Sequence, residues 1–212
     1  LLQEVLGYTA TNAGLALTMG GLATLLVMPL AGFLTGKLDA RILIGVAIMV
    51  QGIALWNMST LNTQMSFDDA ALARMIQSVG LPFLFVPITS VAYVGLNPRD
   101  NNQASALMNV SRNLGGTFGI SLVQTMLIQR SQVHQSQYVE TLNPLNPNYV
   151  SGLHALAQGL MARGLSQADA MRSASAVLYR QLQTQANMLS YIDVFHFLMW
   201  IVFAVVTLLV LM

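Results

Sequence analysis

The chain of 212 residues has no cysteine and little charge: 8% of its residues are Asp, Glu, Lys or Arg, against about 25% in soluble globular domains. Without cysteine there can be no disulfide, no thiolate-ligated zinc and no cysteine nucleophile. The three histidines, His134, His154 and His196, are spaced too widely for a local metal motif, so neither a metal site nor a catalytic group is expected. A formal net charge of +1, with no basic block or acidic tail, gives nucleic acid no electrostatic handle. No positively charged segment precedes a short apolar stretch at the start, so a signal peptide is not expected. The chain begins at Leu1, and the apolar run from Phe197 simply stops at Met212; both ends are expected to be cuts in a longer protein.

What the sequence does have is apolar length. Hydrophobic residues make up 55% of it, and a helix needs about 20 residues to cross a hydrocarbon core of ~30 Å. Five continuous runs meet that length: residues 13–35, 42–61, 71–96, 104–129 and 191–212. None alternates with period two, so helices rather than barrel strands are expected, and the fold class is an all-α, polytopic transmembrane bundle. Residues 131–190 form one long polar connection. Within it, Asn143, Pro144, Asn146 and Pro147 impose extended or turn backbone. Gly164 reads as a helix stop, and Ser166 with Asp169 as a capping box. Met171, Ala174, Leu178, Leu182 and Leu189 then recur at helical spacing, which predicts an amphipathic helix feeding the last span.

Lys37, Arg41 and Arg99 fall in loops on one side, whereas the loop carrying Asp68 and Asp69 has no basic residue. The positive-inside rule makes the first side cytoplasmic, although Arg130 votes the other way. The chain would then start outside, end inside and follow an odd number of upstream spans.

Few residues inside the runs can carry chemistry. Gly32 and Gly36, followed by Lys37, Asp39 and Arg41, form a tight turn in which opposite charges can pair; a plain positive-inside flank explains the cations equally. The third run holds Arg74 and Gln77 near one end, then Pro82 and Pro87, each of which removes a helix hydrogen bond and predicts a kink. In the fourth run Asn109, Arg112, Gly116 and Gly119 share one stripe, and Gly115 with Gly119 makes a small-xxx-small pair for helix packing. An arginine about two turns inside a span costs roughly 2.5–3.5 kcal/mol on insertion scales, so Arg112 either faces a cavity or snorkels to the headgroups. No acid lies deep in any run. Asp193 with His196, one helical turn apart, is the one local candidate for proton coupling, against the reading of an interfacial cap. A membrane enzyme would need clustered carboxylates or histidines, and a scaffold would leave Arg112 without a use.

Taken in order, these motifs resemble the fourteen-span drug:proton antiporter branch of the major facilitator superfamily. Gly32 to Arg41 is similar to the family's cytoplasmic loop motif, with Gly36 where many members carry an acid. Arg74-Met75-Ile76-Gln77-Ser78-Val79-Gly80 with Pro87 resembles the next span. Asn109-Val110-Ser111-Arg112-Asn113-Leu114-Gly115-Gly116 with Gly119 resembles the penultimate one. The Asn143 to Asn148 run and the long outer loop are similar to a subgroup of inner-membrane subunits. The resemblance implies that the five spans are the last five of a major facilitator fold, with nine missing N-terminal spans of the same protein. It also implies alternating access and multidrug efflux of hydrophobic or amphipathic compounds, with no cofactor and the proton gradient as energy source. Asn109, Arg112 and Gln77 would line the substrate or coupling pathway. The expected partners are membrane lipid, drug-like substrates, a periplasmic adaptor and an outer-membrane channel.

Overall fold

In a computed structural model, which describes residues 7–60, 67–140 and 142–211, the described residues form six α-helices: α1 (Ala10–Thr35), α2 (Ala40–Ser59), α3 (Phe67–Ala92), α4 (Asn101–Val139), α5 (Pro147–Met161) and α6 (Gln167–Leu211). Among those residues there is no strand. The expected ends of the second and last runs, at residues 61 and 212, lie outside the described residues.

Local chemistry fixes most of the helix ends. Thr9 caps α1 by accepting from the Asn12 N–H at 3.3 Å. Asn146 caps α5 by accepting from the Asn148 N–H at 3.1 Å, with Pro147 at the first helical position where its missing N–H costs nothing. Gly164 takes φ +95°, so the chain leaves α5 through a left-handed residue while the Leu165 N–H returns to the Leu160 carbonyl at 3.4 Å. Ser166 then accepts from the Asp169 N–H at 3.3 Å and donates to the Asp169 carboxylate at 2.7 Å. The expected stop and cap are both present.

The helices pack in a chain of neighbours: α1 on α3, α3 on α2, α2 on α6, and α6 on both α4 and α5. The buried face of α1 consists of Ala13, Ala16, Gly20, Ala23 and Ala31, which lets the α3 backbone come close. Outside that face the helices are apolar and bare: Leu26 is 81% exposed and Phe118 72%. Exposed apolar surface on this scale needs lipid or protein against it.

The amphipathic stretch and the last run are one helix, α6, of 45 residues, roughly 65–70 Å long and more than twice a hydrocarbon core. Its N-terminal half buries Ala170, Ala174, Leu182 and Ala186. Met171, expected on that face, is 36% exposed, and Ala170 takes the inward position, covered with Ala174 by Leu153, Leu156 and Leu160 of α5. Likewise α4 continues ten residues beyond 129, so α4, α5 and the first half of α6 make a helical extension within the long polar connection, where the sequence predicts amphipathic helix.

By length and apolarity, α1, α2, α3 and α6 suffice to cross a membrane. The α4 helix is longer than three of these but does not qualify: its apolar run is bracketed by Asn109, Arg112 and Asn113 on one side and by Gln124, Gln129 and Arg130 on the other.

Candidate functional site

Three polar centres break the apolar surfaces of the helices. The first joins α1, α2 and α3. Pro82 lacks the N–H that would bond the Ser78 carbonyl one turn back, and the Thr24 hydroxyl of α1 shares its hydrogen between that carbonyl, at 3.2 Å, and the Gly20 carbonyl of its own helix, at 3.1 Å. The prolines Pro82 and Pro87 are buried, and α3 runs continuously through both. On the other side of α3, Gln51 of α2 donates its amide to the Gln77 carbonyl at 2.8 Å. Arg74 donates through Nη1 to the Gln77 side chain, while its Nε is buried with no hydrogen-bond partner. The helices meet here because glycine permits it. A Cβ on Gly20 would lie 2.6 Å from the Ser78 hydroxyl and 3.2 Å from the Arg74 side chain, and one on Gly80 would lie 2.9 Å from the Gln51 amide.

The second centre is the middle of α4. Residues 109–121 are all exposed, and α4 has no buried residue. Asn109 and Arg112 lie on this open face; the Arg112 guanidinium sits over the Phe85 ring of α3, 5.5 Å from its centroid. A Cβ on Gly115, Gly116 or Gly119 would meet nothing within 4 Å among the described residues. The close helix contacts described lie instead at Gly20 and Gly80. Gln77 belongs to the first centre and Asn109 and Arg112 to the second, so the structure does not bring these three together.

The third centre joins α4 and α6. Asp193 accepts from His134 at 2.9 Å and lies 3.8 Å from the Arg130 Nε, and nearby Ser131 donates to Asn187 at 2.6 Å. His196, paired with Asp193 by sequence spacing, is exposed, and the imidazole at the carboxylate is that of His134. Sequence spacing could not find this pair, because 59 residues separate its members.

In the loop motif, Lys37 places its ammonium 4.1 Å from the centroid of the Phe33 ring, and the Asp39 carboxylate makes no capping bond at the start of α2. Gly32 has open space around it, and Gly36 ends α1 with the Lys37 N–H on the Leu34 carbonyl at 3.0 Å. Arg41 lies in the first turn of α2.

None of the three centres brings a nucleophile to a general base, and among the described residues no three His, Asp or Glu gather as metal ligands do. What the centres can do is bind cations or anions and join helices. The model of the Major Facilitator Superfamily matches residues 1–139. Over 92% of the chain, the multidrug export protein EmrB of Haemophilus influenzae is 35% identical and that of Escherichia coli K12 33% identical. The fatty acid resistance protein FarB of Neisseria gonorrhoeae is 27% identical over 81% of it. The chain spans 37% of the length of each EmrB protein and 33% of FarB. A family match over most of the chain and four apolar membrane-length helices lead to one conclusion: this chain belongs to the major facilitator superfamily and is part of a multi-pass membrane protein.

Proposed function

We propose that the full-length protein is a proton-coupled multidrug efflux antiporter of the bacterial inner membrane, exporting hydrophobic or amphipathic toxic compounds without a cofactor. The observation that carries this reading is the open face of α4. A guanidinium lies two to three turns inside a membrane-length helix, among residues that are all exposed, with the Phe85 ring of α3 beneath it. Polar groups at such depth face a cavity or another part of the protein. We read α4 as a membrane span as well, which makes five in this chain, with Asn109 and Arg112 lining the pathway. Its glycines Gly115, Gly116 and Gly119 then pack against another part of the full-length protein.

The similarity to two multidrug export proteins supports the class of substrate. A periplasmic adaptor and an outer-membrane channel complete the assembly in this reading, with the extension of α4, α5 and α6 on the periplasmic side. Lys37, Arg41 and Arg99 face the cytoplasm. The test is dye efflux from cells expressing the full-length protein, with and without a protonophore. Efflux that stops on adding protonophore is the expected result; no efflux by a correctly inserted protein with its partners present would defeat the reading.

A further inference from the structure

We propose that Arg130, His134 and Asp193 form a proton-binding clasp at the outer end of α4, which takes up a proton from the extracytoplasmic water and sets how firmly α4 is held to α6. The use of the clasp in transport, and the side it faces, rest on the antiporter reading; the clasp itself rests on geometry.

The α4 helix has no buried residue and, among the described residues, packs chiefly along α6, so the contacts between these two helices hold it to this part of the protein. The charged ones meet at a single acceptor. Asp193 Oδ2 lies 2.9 Å from His134 Nε2 and 3.8 Å from Arg130 Nε. An ionised carboxylate only accepts, so His134 Nε2 carries the hydrogen that joins them, and a further proton has only Nδ1 to occupy. The three side chains are graded in exposure: His134 is 18% exposed, Asp193 33% and Arg130 54%. In the antiporter reading the open side of the cluster meets the extracytoplasmic water, while the imidazole that receives the proton is the most enclosed of the three.

With a neutral imidazole, Arg130 and Asp193 balance in charge. Transfer of one proton from water to Nδ1 leaves the cluster with one net positive charge and turns the His134–Asp193 contact from a hydrogen bond between an ion and a neutral ring into an ion pair, which adds Coulomb attraction across the two helices. Protonation tightens α4 on α6, and loss of the proton loosens it. Among the described residues, no other charged side chain comes within ion-pair distance of Asp193. On α6 itself, Tyr191 and His196 flank Asp193, with His196 exposed. The packed face of α2 brings no charge, since its one ionisable residue, Arg41, lies in its first turn, and α5 contributes the exposed His154 and the half-buried Tyr149.

The chain has no cysteine, so a pair introduced at two exposed positions, Gln137→Cys on α4 and Gln181→Cys on α6, takes spin labels here alone in a full-length protein freed of other cysteines. Label separation in lipid nanodiscs should shorten as pH falls from about 8 to 5, the range in which histidine generally changes charge. His134→Gln keeps an amide donor for Asp193 but cannot titrate, and should hold one separation throughout. Asp193→Glu, which keeps the charge, should retain the response and guards against misreading a folding defect. A separation that ignores pH, or a response that persists in His134→Gln, would overturn the clasp. Dye efflux by the same preparations in proteoliposomes separates the two ideas. A pH-dependent separation without efflux leaves the clasp and defeats the antiporter reading, and proton-driven efflux with a fixed separation does the reverse.

Discussion

Replacing Gly20 by Leu, compared with the same change at its neighbour Gly21, isolates the contact that brings α1 onto α3. Both residues lie at one depth in one helix, and both changes remove a helix-interior glycine, a gain of up to about 1 kcal/mol in helix propensity that cancels in the comparison. They differ in what a side chain would meet. A Cβ at Gly21 has open space, whereas one at Gly20 falls 2.6 Å from the Ser78 hydroxyl, 0.8 Å inside the 3.4 Å at which ordinary contact begins (3.4 − 2.6). Rotating the Ser78 hydroxyl relieves only the first atom. The rest of the leucine must still displace the Arg74 side chain at 3.2 Å and press on its carbonyl at 3.5 Å, so the helices part. Overpacking of this kind costs about 1–3 kcal/mol. Parting also breaks the Thr24 bond to the Ser78 carbonyl, which Pro82 has left without its helical donor. Polar contacts between membrane helices are worth about 0.6–2 kcal/mol, so Gly20→Leu should be less stable than Gly21→Leu by about 2–4 kcal/mol. The readout is thermal unfolding of the purified full-length protein in mild detergent. Equal stability of the two variants would mean that α1 does not lie on α3 as described.

Thr24→Val should lower stability by about 1 kcal/mol in the same assay, because it deletes the hydroxyl but keeps the branched shape; no change would mean that the Ser78 carbonyl finds another donor. Arg112→Ala should impair dye efflux while leaving the amount of protein in the membrane unchanged, and normal efflux by a well-expressed variant would leave Arg112 only a snorkelling role. Gly119→Leu, which meets no described atom within 4 Å, should destabilise the full-length protein, since its open face packs there in our reading; unchanged stability would argue against such packing.

Helix class was legible in the sequence because a run of apolar residues long enough to cross a bilayer has few other uses. The ends were less legible. The reach of α4 to Val139 and the fusion of the amphipathic stretch with the last run into α6 come from helix continuing through polar residues, where hydropathy falls although helical propensity does not. The stop at Gly164 and the cap at Ser166 were visible because a left-handed glycine and a short hydroxyl act within a few residues of themselves. Contacts between distant segments left no such trace. Asp193 has an imidazole one turn along its own helix, yet it bonds the one across the helix pair, because residues one turn apart need not point the same way once a partner helix offers a nearer donor. Gln51 and Thr24 are the useful lesson for reading similar chains. Each is a polar residue in an apolar run, and each joins a neighbouring helix by bonding a backbone carbonyl.

The central claim, that the full-length protein exchanges substrate for protons, is tested most directly by purifying it into proteoliposomes that enclose a pH-sensitive dye, imposing a pH gradient and adding a cationic amphipathic drug. The account predicts a substrate-dependent proton flux that dissipates the gradient and is weakened by Arg112→Ala. Substrate movement with no accompanying proton flux would contradict it.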